Sequence, residues 1–329
     1  MGTSVAGQLN DDQKSALPNI RDAMTAASAG TTASTRFTFA AFFDGTNNDR
    51  SQYAPDSTIK PQSSDPFPTN VANLAGQAEK MKSDFFIPRY LPGIGTGDER
   101  GGQINAGIAP NAPANAIAKD MYEDFRGEVI NYFKNNPDAT AEDISVTVVG
   151  GSRGGAVGIK FIKMVYEEGV FDENGAVLAP PHSIPAVSPV FLDAVGRFVD
   201  GDLSLPPNVR GPVLSVQAAD ENRSDFRPLD FSNDERVTTV VHPGNHVGVL
   251  GGYDQGGTAS NVLEGVTAFM QKTGQPIADV PAEQRFDPTQ ETKLYTEAYR
   301  TDSQGNVLTN ENGTKLLAWS VDDPTQGRQ

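Results

Sequence analysis

Ser152 stands between glycines in Gly150-Gly151-Ser152-Arg153-Gly154, and the chain has only three histidines, His182, His242 and His246, all downstream of it. A hydroxyl becomes a nucleophile when a base removes its proton. A serine, a histidine and a carboxylate that orients the histidine therefore form the smallest set able to attack an acyl carbonyl. The setting of the pentapeptide favours that chemistry. Ile144-Ser145-Val146-Thr147-Val148-Val149 is β-branched and suits a buried strand, and Gly155 to Glu168 reads as the helix that follows. A serine in the tight turn between them takes an unfavourable backbone conformation that lifts its hydroxyl off the sheet. The helix aims its positive dipole end at the serine, and the backbone N–H of Arg153 is the first expected oxyanion donor.

His246 lies in Pro243-Gly244-Asn245-His246-Val247-Gly248-Val249-Leu250-Gly251-Gly252-Tyr253, a glycine-rich loop after the last predicted strand, where a triad base belongs. His242, at the end of that strand, and His182, in a proline-rich loop, are the alternatives. Asp193 follows Val190-Phe191-Leu192 and falls between serine and histidine, the Ser, Asp, His order of α/β-hydrolases. Asp220 and Glu221 also follow a strand and compete for the acid's role. Asp44-Gly45-Thr46 closes the first predicted strand. Haloacid-dehalogenase phosphatases place Asp-Gly-Thr there too, but they need an aspartate two residues earlier, where this chain has Phe42. In a hydrolase sheet this turn donates the second oxyanion N–H, from the backbone of Asp44 or Gly45. A purely structural turn and an oxygen-rich cation site from Asp44, Asn47 and Asp49 are the other readings.

Strands at 36–43, 85–91, 144–149, 190–193, 212–218 and 237–242 are predicted to hold these groups, with helices at 70–83 and 112–135. Strands alternating with helices imply a parallel sheet, whose carboxyl ends are where open α/β sheets bind ligands. The expected fold is α/β-hydrolase-like: a mainly parallel central sheet, helices on both faces and a small C-terminal β-hairpin extension. Residues 1–35 read as a loosely attached arm with one short helix near 17–27, residues 36–280 as the catalytic domain and 281–329 as the hairpin extension. Segments 98–118 and 178–190, apolar and irregular, are candidate lids.

The 329 residues carry a formal charge of −16, which argues against nucleic acid as a partner. The chain has no cysteine, which removes thiol catalysis, Cys-ligated zinc and disulfides. No stretch approaches the roughly 18 apolar residues of a membrane span, and no basic-then-apolar leader opens the chain, so a transmembrane segment and an ordinary signal peptide are not expected. The triad needs no metal or organic cofactor.

Six blocks occur in one order: Phe42-Phe43-Asp44-Gly45-Thr46-Asn47-Asn48, Tyr90-Leu91-Pro92-Gly93-Ile94-Gly95-Thr96, Gly151-Ser152-Arg153-Gly154, Leu192-Asp193-Ala194-Val195-Gly196, Asp220 to Pro228, and Pro243 to Tyr253. Over about residues 36–272 the chain resembles the catalytic domain of type VI secretion phospholipase effectors. The resemblance implies a bacterial serine lipase that cleaves membrane phospholipids of rival cells, with Ser152 as nucleophile, Asp193 as orienting acid and His246 as base. It also implies synthesis in the cytoplasm, export into a target periplasm, a spike or adaptor partner and an immunity protein. Gly151 and Gly155 depart from the Phe and Ala usual in that family's elbow. Hydrolysis of small soluble or polysaccharide esters by the same triad, and a non-enzymatic scaffold that binds a protein partner, are the competing readings.

Overall fold

The computed structural model describes residues 7–29, 35–53, 66–96, 111–253, 255–289, 293–294, 299–311, 313 and 315–316. Its spine is a parallel sheet. In chain order the strands are β1 (Phe37–Phe43), β2 (Phe86–Leu91), β3 (Ile144–Gly151), β4 (Val190–Leu192), β5 (Val213–Ala218) and β6 (Val237–His242). They lie in the spatial order β6-β5-β4-β3-β1-β2. Two-residue strands at Ala186–Val187 and Val209–Arg210 join beside β3. β2 carries Pro88, which cannot donate to a ladder and is tolerated because β2 is an edge strand.

The period-2 pattern of β1 divides the core. Phe37, Phe39, Ala41 and Phe43 enter one cluster with Phe125 of α3 (Asn111–Asn135) and Phe161 of α4 (Arg153–Glu168). Ala40 and Phe42 enter the other, with Leu74 of α2 (Asn70–Glu79) and Val262 and Phe269 of Thr258–Lys272. Helices thus cover both faces, and the fold is α/β-hydrolase-like. The chain leaves β1 for β2 on one side and returns to β3 on the other. The order reverses between β1 and β3, so a crevice opens at their carboxyl ends, where Asp44 and Ser152 lie.

Three features differ from expectation. Residues 11–26 are not a loose arm: helix α1 (Asp11–Ala26) opens with an Asn10–Gln13 capping box, buries Leu17 and Met24, and pairs Arg21 with Glu264 at 2.7 Å. Its apolar stripe stabilises both itself and the helix it covers. The histidine segment is partly helical, since His246–Leu250 forms α5 behind the cap Asn245, before a further helix, α6 (Thr258–Lys272). In the tail, Lys293–Leu294 pairs with Gly7–Gln8, and two bridges, Thr301 to Val307 and Thr309 to Lys315, make tight reversals. Part of the tail therefore pairs with the N-terminal segment. Candidate lid residues 98–110 lie outside the described residues; 178–190 includes part of the short hairpin formed by Val170–Phe171 and Val177–Ala179.

Candidate active site

Ser152 adopts φ 52° and ψ −132° at the junction of β3 and α4. L-residues avoid this region, and the surroundings hold it there. The Ser152 N–H donates to Leu192 O at 3.0 Å, and Ser152 O accepts from Val195 N–H at 2.9 Å and Gly155 N–H at 3.1 Å. A Cβ on Gly154 would lie 2.3 Å from Phe43 O, so the helix can approach β1 this closely only with glycine there. Gly151 and Gly155 have local causes too. A side chain at Gly151 would strike Leu250, and one at Gly155 would strike Ala194.

Gly151 of β3 registers with Leu192 of β4, which places the next residues, Ser152 and Asp193, side by side. Asp193 has φ 42°. Its Oδ1 accepts from Ala218 N–H at 3.0 Å and its Oδ2 lies 2.6 Å from His246 Nδ1. Both side chains are buried, and the Phe226 ring stands against the imidazole at 4.8 Å. With Nδ1–H donating to the carboxylate, Nε2 is left to accept a proton. His246 and Ser152 line the same cavity.

The competing residues have other employment. Asp220 Oδ2 accepts from Gly244 N–H at 2.8 Å, and Glu221 accepts from His246 N–H at 3.2 Å and from the Arg223 guanidinium at 2.7 and 2.9 Å. They anchor the main chain of the histidine segment. His242 is fully buried between Pro243 O and the Asn261 side chain, and burial lowers its pKa, which keeps it neutral. His182 is exposed and stacks on Tyr166.

The oxyanion expectation needs correction at Asp44 and Gly45. Asp44 N–H donates to Leu91 O at 3.1 Å, and Gly45 N–H donates to the Asp44 carboxylate at 2.7 Å. Neither is free. Among the described residues, the N–H groups of Thr46 and Arg153 have no hydrogen-bond partner, and both residues line the cavity. Asp44 is turned inward, accepting also from Thr69 at 2.7 Å and Tyr90 at 2.6 Å. Burial raises its pKa to about 6, against the lowering effect of those hydrogen bonds. Asp49 accepts from Ser51, so the two carboxylates serve different partners and build no shared cage for a cation.

The cavity measures about 230 Å³. Its apolar walls include Val195, Phe198, Phe226 and Leu250, and among the described residues its charged lining is Arg153, Arg197, Arg223 and Asp225. Arg223 lies over the Phe226 ring at 3.7 Å, which braces the wall behind His246.

No protein-family model and no curated protein matches the chain. Among solved structures, it is similar to an uncharacterized protein from Pseudomonas aeruginosa at 14% identity and TM-score 0.48, over 85% of this chain and 52% of that one. It is similar also to the Tle1 effector bound to the VgrG spike from the Type 6 secretion system, at 19% identity and TM-score 0.44, over 69% and 53%. A third is dienelactone hydrolase from Anabaena variabilis, at 12% identity and TM-score 0.35, over 71% and 86%. The chain spans about half the length of the first two.

Proposed function

We propose that the protein is a serine hydrolase that cleaves carboxylic esters through an acyl-enzyme. The observation that carries this reading is the Asp193–His246 hydrogen bond at 2.6 Å, beside a serine at φ 52° that shares a cavity with the imidazole. Ser152 Oγ attacks the ester carbonyl as His246 Nε2 takes its proton. The tetrahedral oxyanion is bound by the N–H groups of Arg153, at the N-terminus of α4, and of Thr46, in the turn after β1. Asp193 fixes the tautomer and stabilises the imidazolium. His246 then returns the proton to the departing alkoxide, and a water, deprotonated by the same nitrogen, releases the acid and restores Ser152.

The substrate in this proposal is a membrane glycerophospholipid, and the setting is an antibacterial effector delivered by a type VI apparatus, with a spike or adaptor partner and an immunity protein. The ordered blocks from Phe42 to Tyr253 support it, together with a cavity that sets apolar walls beside arginines. No helix among the described residues is long and apolar enough to cross a membrane. The modest cavity favours a second reading, hydrolysis of small water-soluble esters. Mass spectrometry of phospholipid vesicles incubated with wild type and Ser152→Ala separates the two. Lysophospholipid and fatty acid formed by the wild type alone are expected. Turnover of soluble short-chain esters with intact vesicles would select the second reading.

A further inference from the structure

Arg153 presents a problem that the triad does not solve. Its residue is only 9% exposed, and its side chain lines the catalytic cavity immediately after Ser152. Among the described residues, its side chain makes one hydrogen bond, from Nε to the neutral Thr46 Oγ1 at 2.7 Å. Among the described residues, no carboxylate meets the guanidinium. A buried cation without a counter-charge is costly, and such groups are ordinarily paired.

The neighbouring charges sharpen the point. Glu221 grips Arg223 through both oxygens. Asp225 pairs with Arg197 at 2.7 Å but is shared with Lys315 at 2.6 Å and with the Tyr299 hydroxyl at 2.8 Å. Among the described residues, Asp225 is thus the only acidic side chain in the lining, and it faces Arg153 and Arg197, in a chain whose net charge is −16. Burial, and secondarily the repulsion of Arg197, pushes Arg153 down to about 10, so it stays charged at neutral pH. An anion placed between Arg153 and Arg197 would relieve both.

We infer that Arg153 and Arg197 form an anion-binding subsite beside the nucleophile, and that the ester hydrolysed here carries a phosphate diester close to its scissile carbonyl. The inference rests on the esterase reading for its substrate half. Its binding half stands independently. Guanidinium groups present forked N–H donors that match two phosphate oxygens, which makes Arg153 a specificity-determining side chain as well as the owner of an oxyanion N–H.

Two measurements test it. The first compares kcat/KM for a monomeric dihexanoyl phosphatidylglycerol and its uncharged methyl phosphotriester. Wild type is expected to prefer the anionic ester at least tenfold. Arg153→Gln should erase most of that ratio, Arg153→Lys should retain part of it, and Arg197→Gln should lower it less. A ratio unchanged in Arg153→Gln overturns the proposal, because a merely structural role would depress both esters alike.

The second is calorimetry on Ser152→Ala, without and with Arg153→Gln, using glycerophosphoglycerol and inorganic phosphate. Diester binding that weakens at least tenfold with Arg153→Gln supports the subsite. Equal binding by the two proteins refutes it. Binding of inorganic phosphate alone refutes the substrate half, since the site would then serve a free ion. If wild type hydrolyses neither ester while the diester still binds through Arg153, the esterase reading fails and the subsite stands.

Discussion

Ser152 and Asp193 occupy adjacent strand ends, both at positive φ, 52° and 42°. The residues on either side of Asp193 are tied to the elbow by hydrogen bonds from Ser152 N–H to Leu192 O and from Val195 N–H to Ser152 O. The two strained residues brace one another, and the sheet register sets the spacing of nucleophile and acid. His246 then needs only to be swung onto Asp193 by the turn after β6, whose main chain Asp220 and Glu221 hold.

Asp193→Asn tests the orienting role. The amide NH2 would face Nδ1 and force the proton onto Nε2, so the imidazole could no longer accept from Ser152. Ester hydrolysis should fall by roughly 10³- to 10⁴-fold with little change in thermal midpoint. Asp220→Asn should lower activity far less. Steady-state kinetics on a chromogenic ester read both, and a reversed ranking would transfer the acid's role.

Gly154→Ala tests the elbow's packing. Its methyl would meet Phe43 O and Asp44 O at 2.3 and 2.4 Å, and backbone atoms there cannot step aside. A loss of about 3 kcal/mol is expected from urea unfolding, with loss of activity because the oxyanion loop moves. Wild-type stability in this variant would mean that α4 and β1 are not so close.

Asp44 gives a pH signature. Burial raises its carboxyl from the ordinary 3.8 to about 6, so its folded-state advantage is complete below 3.8 and is lost as pH rises through 6. The full span corresponds to about 3 kcal/mol. Asp44→Asn removes this dependence. The stability of Asp44→Asn relative to wild type should therefore increase from pH 4 to 6 and level off above it. A difference constant over that range, measured by denaturant unfolding, would place the carboxyl in a wetter setting.

Met24→Ala tests the docking of α1. Met24 is fully buried in the cluster with Val262 and Phe269, and its loss should cost about 2–4 kcal/mol. A change near zero would return residues 11–26 to the status of a loose arm.

Much of this was readable because the signals are local. The strands that lead to Ser152 and Asp193 are short β-branched or apolar runs followed directly by the polar residue, and His246 comes four residues after the end of β6. The oxyanion donor was misread for a local reason too. The Asp44 carboxylate captures the N–H of Gly45, which leaves the N–H of Thr46 as the proposed donor; an aspartate before a glycine was the available sign. Helix α6 had a sign as well, in the spacing of Val262, Val266, Phe269 and Met270. The charge surroundings of the Arg153 and Asp225 side chains were not legible. They depend on which charges the fold leaves paired, and Arg197, Asp225 and Lys315 meet only through tertiary structure.

The most direct measurement is fluorophosphonate labelling of the folded protein, followed by peptide mass spectrometry. The account predicts one adduct, on Ser152, formed rapidly by wild type and at least a hundredfold more slowly by His246→Ala. Absence of an adduct on folded wild type, an adduct on another residue, or labelling of Ser152 indifferent to His246 would contradict it.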